Sequence, residues 1–145
     1  MDYEVQQEIN ENLRFAAQEG AFDKVMELLD QGGDINAFDE TGRTTLHYAV
    51  ESNESRLVHT LIEKGAEVNA QDEEMANDTA LAMAAEQGAL KIVKMLLRAG
   101  ADPYITGVMG NDALHRAEQC ESADAEKIKD AIIRTKPPKK NRRMR

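Results

Sequence analysis

Apolar positions recur along this chain as two helical blocks that alternate at a fixed interval. The first block reads Leu13-x-x-Ala16-Ala17, Leu46-His47-x-Ala49-Val50, Leu81-x-x-Ala84-Ala85 and Leu114-His115-x-Ala117, with leucine-to-leucine steps of 33, 35 and 33 residues. The second follows in phase as Val25-Met26-x-Leu28-Leu29, Leu57-Val58-x-x-Leu61-Ile62 and Ile92-Val93-x-x-Leu96-Leu97. Each time the chain then reaches glycine, at Gly32-Gly33-Asp34, Gly65-Ala66-Glu67 and Gly100-Ala101-Asp102. Spacings of three and four put the apolar residues of a block on one face of a helix. A repeat of this length marks supersecondary units that bury their apolar faces only on one another. The pattern predicts an all-α solenoid of stacked helix-turn-helix units, with function on a surface rather than in a pocket.

Local chemistry agrees with that reading. In the second unit Thr44 or Thr45 caps a first helix carrying Leu46, Ala49 and Val50, because a hydroxyl there accepts an otherwise unpaired backbone N–H. A break at Ser52-Asn53 precedes the second helix, and Gly65 stops it, since glycine tolerates the left-handed geometry after a helix end. The third unit repeats the design with Thr79, Leu81, Gly88, Ile92 and Gly100. Between units, Asn36-Ala37-Phe38-Asp39-Glu40-Thr41-Gly42-Arg43 reads as a polar turn with Gly42 at its sharp position. Alanines on the first helices allow close stacking, so packing rather than intrinsic propensity forms these short helices.

These residues resemble the ankyrin repeat proteins, whose unit pattern of Asp, Gly, Thr-Pro-Leu-His, Ala-Ala, Gly, Ile-Val, Leu-Leu and Gly-Ala-Asp-x-Asn-Ala is matched best by residues 39–70. The resemblance spans roughly residues 6–134, in units of about 6–38, 39–71, 72–106 and 107–134, with a basic tail at 135–145 expected to be disordered. It implies an L-shaped stack with hairpin loops projecting from one side and a concave groove beside them. Thr45, Ala80 and Ala113 stand where the family has Pro, and Asp112 stands where it has Thr but can still cap a helix. The loop Asp72-Glu73-Glu74-Met75-Ala76-Asn77-Asp78 is two residues longer and lacks the glycine, which accounts for the 35-residue step and predicts a longer, more mobile finger.

The terminal units are irregular, as caps of an array are. Residues 2–12 read as a polar lead-in whose Val5 and Ile9 cover one exposed end, and the last unit carries Ile128, Ile132 and Ile133 on its second helix. A polar outer face keeps such ends soluble. On this reading the array is whole.

Composition narrows the class. The 145 residues fit one domain, and with aromatics at 4% and no Trp the core must be Leu, Ala, Val, Ile and Met. A single Cys120 cannot form an internal disulfide, which suits a reducing compartment. The acidic, polar start Met1-Asp2-Tyr3-Glu4 is unlike a secretory signal, and no run approaches a membrane span. A soluble, cytoplasmic protein that is monomeric when free is expected, without membrane contact.

Charge is unevenly placed. The last ten residues hold six of the 18 basic residues (Lys136, Lys139, Lys140, Arg142, Arg143 and Arg145) and none of the 27 acidic ones, which leaves the first 135 residues at −15. Such a body attracts a partner with a basic or mixed surface and repels the nucleic-acid backbone, or else serves only to keep the array soluble. The tail resembles a nuclear import signal or an anchor for acidic surfaces, or is a solvated end.

Candidate chemistry is sparse. The resemblance places His47 and His115 where the ring bridges hydrogen bonds at the base of the turn. Two units apart, they should lie on the order of 20 Å from each other, too far to share a metal. His59 reads as a surface residue, Cys120 has no neighbour at ligand or redox spacing, and no glycine-rich phosphate loop is present. Acid pairs such as Glu73-Glu74 and Glu118 with Glu121 have no desolvated cleft to tune them and read as solvated charge. Neither enzyme activity, cofactor nor metal is expected.

By the resemblance, the binding surface is Phe38, Glu40, Thr41 and Arg43 on the first finger, Gln71, Glu73, Glu74, Met75, Asn77 and Asp78 on the second, and Thr106, Val108, Met109 and Asn111 on the third. The groove positions are Gln18, Glu19, Glu51, Ser52, Glu86, Gln87, Gln119 and Cys120. Phe38 is a hot-spot candidate, while Met75 and Met109 either enter a partner's apolar pocket or fold back on their own units. The expected function is a non-catalytic protein-binding module, an adaptor or inhibitor. A neutraliser of a basic effector, such as an immunity protein of a bacterial toxin pair, and a nucleic-acid-associated factor using the tail are the alternatives. Cytoplasmic location becomes nuclear if the tail directs import.

Overall fold

The computed structural model describes residues 2–72, 74, 75 and 77–135. These form eight α-helices: α1 (Tyr3–Gln18), α2 (Phe22–Asp30), α3 (Thr45–Glu51), α4 (Ser55–Glu63), α5 (Ala80–Gln87), α6 (Leu90–Arg98), α7 (Ala113–Glu118) and α8 (Ala125–Arg134), with one 3-10 turn at Val108–Gly110. The predicted helix pairs are all present. Each odd-numbered helix packs on the even-numbered helix that follows it, and α1, α3, α5 and α7 stack in sequence to form an inner row. In the outer row α4 packs on α6 and α6 on α8.

The repeated apolar blocks meet between the rows. Leu13, Leu46 and Leu81 are fully buried beside Ala17, Ala49, Ala84 and Ala85 of the inner row, against Val25, Leu57, Leu61, Ile92, Leu96 and Ile128 of the outer row. Each buried Leu or Ile contributes about 1.5–3 kcal/mol relative to exposure. Helices of only 7 and 6 residues, as α3 and α7 are, have no stability alone and exist because this layer forms on both sides of them.

Caps set where the inner helices begin. Of the two candidate threonines, Thr44 takes the cap position, and its backbone N–H donates to Nδ1 of His47 at 3.0 Å. Thr45 is instead the first residue of α3, and its buried hydroxyl has no partner among the described residues. Thr79 Oγ1 accepts the Ala82 N–H at 3.2 Å, and an Asp112 carboxylate oxygen accepts the His115 N–H at 3.1 Å. At the outer-helix ends Gly65 and Gly100 adopt φ of 99° and 97°, which a Cβ would disfavour. The chain then returns, with the N–H groups of Ala66 and Ala101 donating to Leu61 and Leu96 carbonyls, each at 2.9 Å.

An asparagine ladder sets the register between units. Asn36 donates to the Gly65 carbonyl at 3.1 Å and accepts the Glu67 N–H at 2.9 Å. Asn69 does the same one unit later, with the Gly100 carbonyl at 3.2 Å and the Asp102 N–H at 2.7 Å. In the first unit Asn10 accepts the Asp34 N–H at 2.8 Å while Gln6 donates to the Gly32 carbonyl at 3.0 Å.

The two ends differ in part from the sequence expectation. Residues 3–12 are helical, the first turns of a 16-residue α1, because Gln6 and Asn10 lie one turn apart on the helix and anchor it to the end of α2. Ile9 packs on the core, whereas Val5 stays 45% exposed and covers little. On α8, Ile128 and Ile132 are buried one turn apart, and Ile133, turned roughly 100° further round the helix, is 64% exposed.

Candidate functional site

Two of the three loops between units are built on aspartates, and the third is closed by the Gly107 N–H donating to the Asn111 carbonyl at 2.8 Å. In the first finger one Asp39 carboxylate oxygen accepts from the N–H of Thr41 at 2.9 Å, the hydroxyl of Thr41 at 2.7 Å and the N–H of Arg43 at 3.0 Å. Its other oxygen takes the Tyr48 hydroxyl, so the finger is tied to α3. Burial works to raise the Asp39 pKa, but the bonds from Tyr48, Arg43 and Thr41 outweigh it and hold the carboxyl down at about 2. In the second finger Asp72 accepts the Glu74 and Met75 N–H groups at 2.8 and 3.2 Å.

The fingers stack on one another. Gln71 donates both to the Asn77 carbonyl at 2.8 Å and to the Thr106 carbonyl at 2.7 Å, joining the second finger to the third. At Gly107 a Cβ would lie 2.3 Å from a carboxylate oxygen of Asp78 and 2.7 Å from its Cα, so the third finger lies directly on the second. The same Asp78 pairs with Arg116 of α7 at 2.9 Å. Its carbonyl meets Nε2 of His47 at 3.0 Å.

His47 is therefore a brace. Burial depresses its pKa from 6.5 to about 4, although the bond to the Asp78 carbonyl works in the opposite direction. His115 is exposed and its Nδ1 meets the carboxylate of Asp112 at 2.8 Å and receives the Asp112 N–H at 3.5 Å, so among the described residues it bonds within its own unit. Exposed His59 pairs with Glu63 at 2.8 Å. Among the described residues no three His, Cys, Asp or Glu side chains come together to hold a metal ion, and no helix is long and apolar enough to cross a membrane.

The structure places the sequence-selected positions in three settings. Phe38, Glu40, Thr41, Glu74, Met75, Thr106 and Met109 are exposed along the finger ridge, with Met109 at 92% and in a left-handed conformation (φ 59°) at its tip. Gln18, Glu51, Glu86 and Gln119 recur five residues after each first-block leucine and lie exposed on the inner row, with Glu19 beside them. Gln18 donates to Glu51 at 3.4 Å, Arg43 pairs with Glu51 at 2.8 Å, and Arg116 approaches Glu86 at 3.9 Å and Gln119 at 3.3 Å.

The third setting is scaffold. Ser52 donates to the Ala49 carbonyl at 2.8 Å, Gln87 reaches across to the Val50 carbonyl at 2.9 Å, and the half-buried Cys120 sulfur accepts the Ser122 N–H at 3.3 Å. Asn77 and Asn111 are half-buried at finger bases. Glu73, the side chain of Val108, and Lys136, Lys139, Lys140, Arg142, Arg143 and Arg145 lie outside the described residues.

Sequence reasoning named Gln18, Phe38, Glu40 and Thr41 but passed over the residues that join them into one cluster. A depression of about 370 Å³ between α1 and the first finger is lined by Gln7, Glu11, Arg14, Phe15 and Gln18 on one side and by Phe38, Asp39, Glu40, Thr41 and Tyr48 on the other. Phe15 is 63% and Phe38 41% exposed. The Arg43 guanidinium lies 5.2 Å from the Tyr48 ring centre, so that ring is already engaged. A signal was available: Glu11, Phe15 and Gln18 fall at i, i+4 and i+7, on the helix face opposite Leu13 and Ala17.

Comparison with known proteins agrees with this architecture. The protein-family description "Ankyrin repeats (3 copies)" matches residues 4–72, and "Ankyrin repeat" matches residues 77–108. Among similar proteins, palmitoyltransferase Hip14 of Drosophila melanogaster is 40% identical over 100 residues, covering 69% of this chain and 16% of that protein. Human palmitoyltransferase ZDHHC13 is 34% identical over 102 residues, covering 70% and 16%. Diacylglycerol kinase zeta of Rattus norvegicus is 31% identical over 114 residues, covering 79% and 12%. The chain thus spans only about a sixth or less of the length of these relatives.

Proposed function

The chain belongs to the ankyrin repeat proteins, an interaction-module family, and from that premise we propose that it is a non-catalytic adaptor or inhibitor that binds one partner protein along its finger ridge and inner row. The observation that carries this reading is the continuity of the surface. The second and third fingers, joined by Gln71, Gly107 and Asp78, and the first, whose Gly42 lies against Met75, Asn77 and Asp72, present exposed Phe38, Met75 and Met109 on a common support. Rigid presentation lowers the ordering cost of association, and scattered apolar anchors among polar residues are what a protein interface uses.

Charge defines the partner. A body of −15, with Glu40, Glu74, Glu51 and Glu86 on the ridge and inner row, favours a partner with a basic or mixed surface. The same charge suits a neutraliser of a basic effector. The relatives that carry enzyme names match this chain over a small part of their length, so their activities are not assigned to it. The lone Cys120, which can form no internal disulfide, suits a cytoplasmic location, or a nuclear one if the basic tail directs import.

The test is affinity capture on the intact chain beside a Phe38→Ser, Met75→Ser, Met109→Ser variant, with captured proteins identified by mass spectrometry. A protein held by the first and reduced at least tenfold on the second supports the reading. Equal capture by both places the contact elsewhere. Assay of the captured protein's own activity with and without the array separates inhibitor from adaptor.

A further inference from the structure

In the second unit the position after the first-block leucine is His47, which is fully engaged by Thr44 and by the Asp78 carbonyl. In the first unit the same position is Arg14. It is 8% exposed, yet among the described residues it has neither an ion pair nor a hydrogen bond. A guanidinium carries five N–H donors in a planar fork, and those of Arg14 are open to solvent, since the fully buried unpaired side-chain polar atoms among the described residues are Thr45 Oγ1 and Arg116 Nε. Arg14 lines the depression between α1 and the first finger, so whatever fills that depression meets its donors.

The surroundings decide what that occupant is. Glu11, Asp39 and Glu40 line the same depression, so one guanidinium faces three carboxylates. Asp39 stays ionised at any physiological pH, because its finger bonds hold it in that form. An anionic ligand would gain Arg14 and be repelled by three charges, whereas a neutral carbonyl satisfies Arg14 without that penalty. The aromatic faces point the same way. This fold sets arginine on aromatic rings twice, Arg56 over Phe22 at 3.9 Å and Arg43 over Tyr48 at 5.2 Å, while Phe15 and Phe38 have no cation over them among the described residues. A solvent-exposed aromatic face beside carboxylates attracts a cationic side chain.

We propose that this depression is the anchoring subsite of the interface and takes an extended segment of the partner protein that carries an arginine or lysine beside an apolar residue. Main-chain carbonyls of the segment accept from Arg14, the apolar residue packs on Phe38, and the cation lies along Phe15 between Glu11 and Glu40. The volume of about 370 Å³ admits one or two side chains, so the subsite reads a short motif rather than a whole surface. This deepens the ridge reading and rests on it.

Selection of phage-displayed random dodecapeptides on the intact chain tests the subsite, with the enriched peptides then synthesised and titrated. The expected result is enrichment of Arg or Lys next to an apolar residue. Affinity should fall at least tenfold on the combined Glu11→Lys, Glu40→Lys variant, about tenfold on Phe38→Ala, and several-fold on Arg14→Met, each first checked for an unchanged helical spectrum. Phe38 and Glu40 lie exposed on a loop, so those variants report binding even if Arg14→Met is unstable. Enrichment of acidic peptides that lose binding on Arg14→Met, or of no basic motif, overturns the proposal. Basic peptides that ignore these changes but respond to Glu74→Lys or Glu86→Lys overturn the subsite and leave the ridge reading standing. Failure of every peptide to bind anywhere counts against both.

Discussion

Nε2 of His47 meets the backbone carbonyl of Asp78 at 3.0 Å, linking the start of one inner helix to the base of the next finger. Because the ring is buried with its Nδ1 receiving the Thr44 N–H, it must stay neutral to bridge the two. A drop of the His47 pKa from 6.5 to about 4 means the unfolded chain binds a proton that the folded chain refuses. Stability is therefore complete above pH 6.5 and is lost as pH falls from there towards 4, by up to roughly 3 kcal/mol. Urea unfolding at pH 7.5 and 4.5 should show this loss, and His47→Gln should flatten the slope in that window. An unaltered slope in the variant would mean that another group sets the pH dependence.

At the centre of the stack, Leu81→Ala should cost about 2–5 kcal/mol, since Leu81 is fully buried and its neighbours can close the cavity only in part. Ile133→Ala, at a site 64% exposed, should change stability by about 0.5 kcal/mol or less. Chemical denaturation of both variants checks the contrast.

Gly107→Ala tests the stacking of fingers. The added Cβ would lie 2.3 Å from the Asp78 carboxylate and 2.7 Å from its Cα, and since backbone is involved a rotamer change cannot relieve it. A loss of about 1–3 kcal/mol is expected, together with weakening of the Asp78–Arg116 pair. The corresponding measurement is the unfolding midpoint, followed by NMR shifts around Arg116. A stable protein with unmoved resonances would show that the fingers are not in close contact.

Much of the fold was legible because stacking forces repetition. Leu13, Leu46 and Leu81 had to fall at the same phase for the inner row to bury them, and Gly65 and Gly100 had to end the outer helices. Finer choices were closed to sequence. Thr44 and Thr45 are chemically equivalent caps, and only the direction of the His47 ring distinguishes them. Gln87 and Ser52 read as polar groove residues, yet their hydrogen bonds to the Val50 and Ala49 carbonyls depend on how the units turn against each other. The Arg14 depression was missed although the spacing of Glu11, Phe15 and Gln18 marks an outward face of α1, since nothing local says that the first finger meets that face.

Carboxylates on the ridge should act on association more than on dissociation. Reversing Glu73 and Glu74 to lysine is expected to slow binding to a basic partner several-fold at low salt and to flatten its ionic-strength dependence. Stopped-flow or surface-based kinetics between 50 and 300 mM salt would read this, the range spanning Debye lengths from about 14 to 6 Å. Unchanged rates would remove the second finger from the encounter.

The most direct test of the account is amide hydrogen exchange of the chain alone and with its captured partner. Protection is predicted at 36–43, 71–78 and 104–112 and along the exposed side of α1 around Phe15, with little change on α4 and α6. Protection confined to the outer row, with the fingers unaffected, would contradict it.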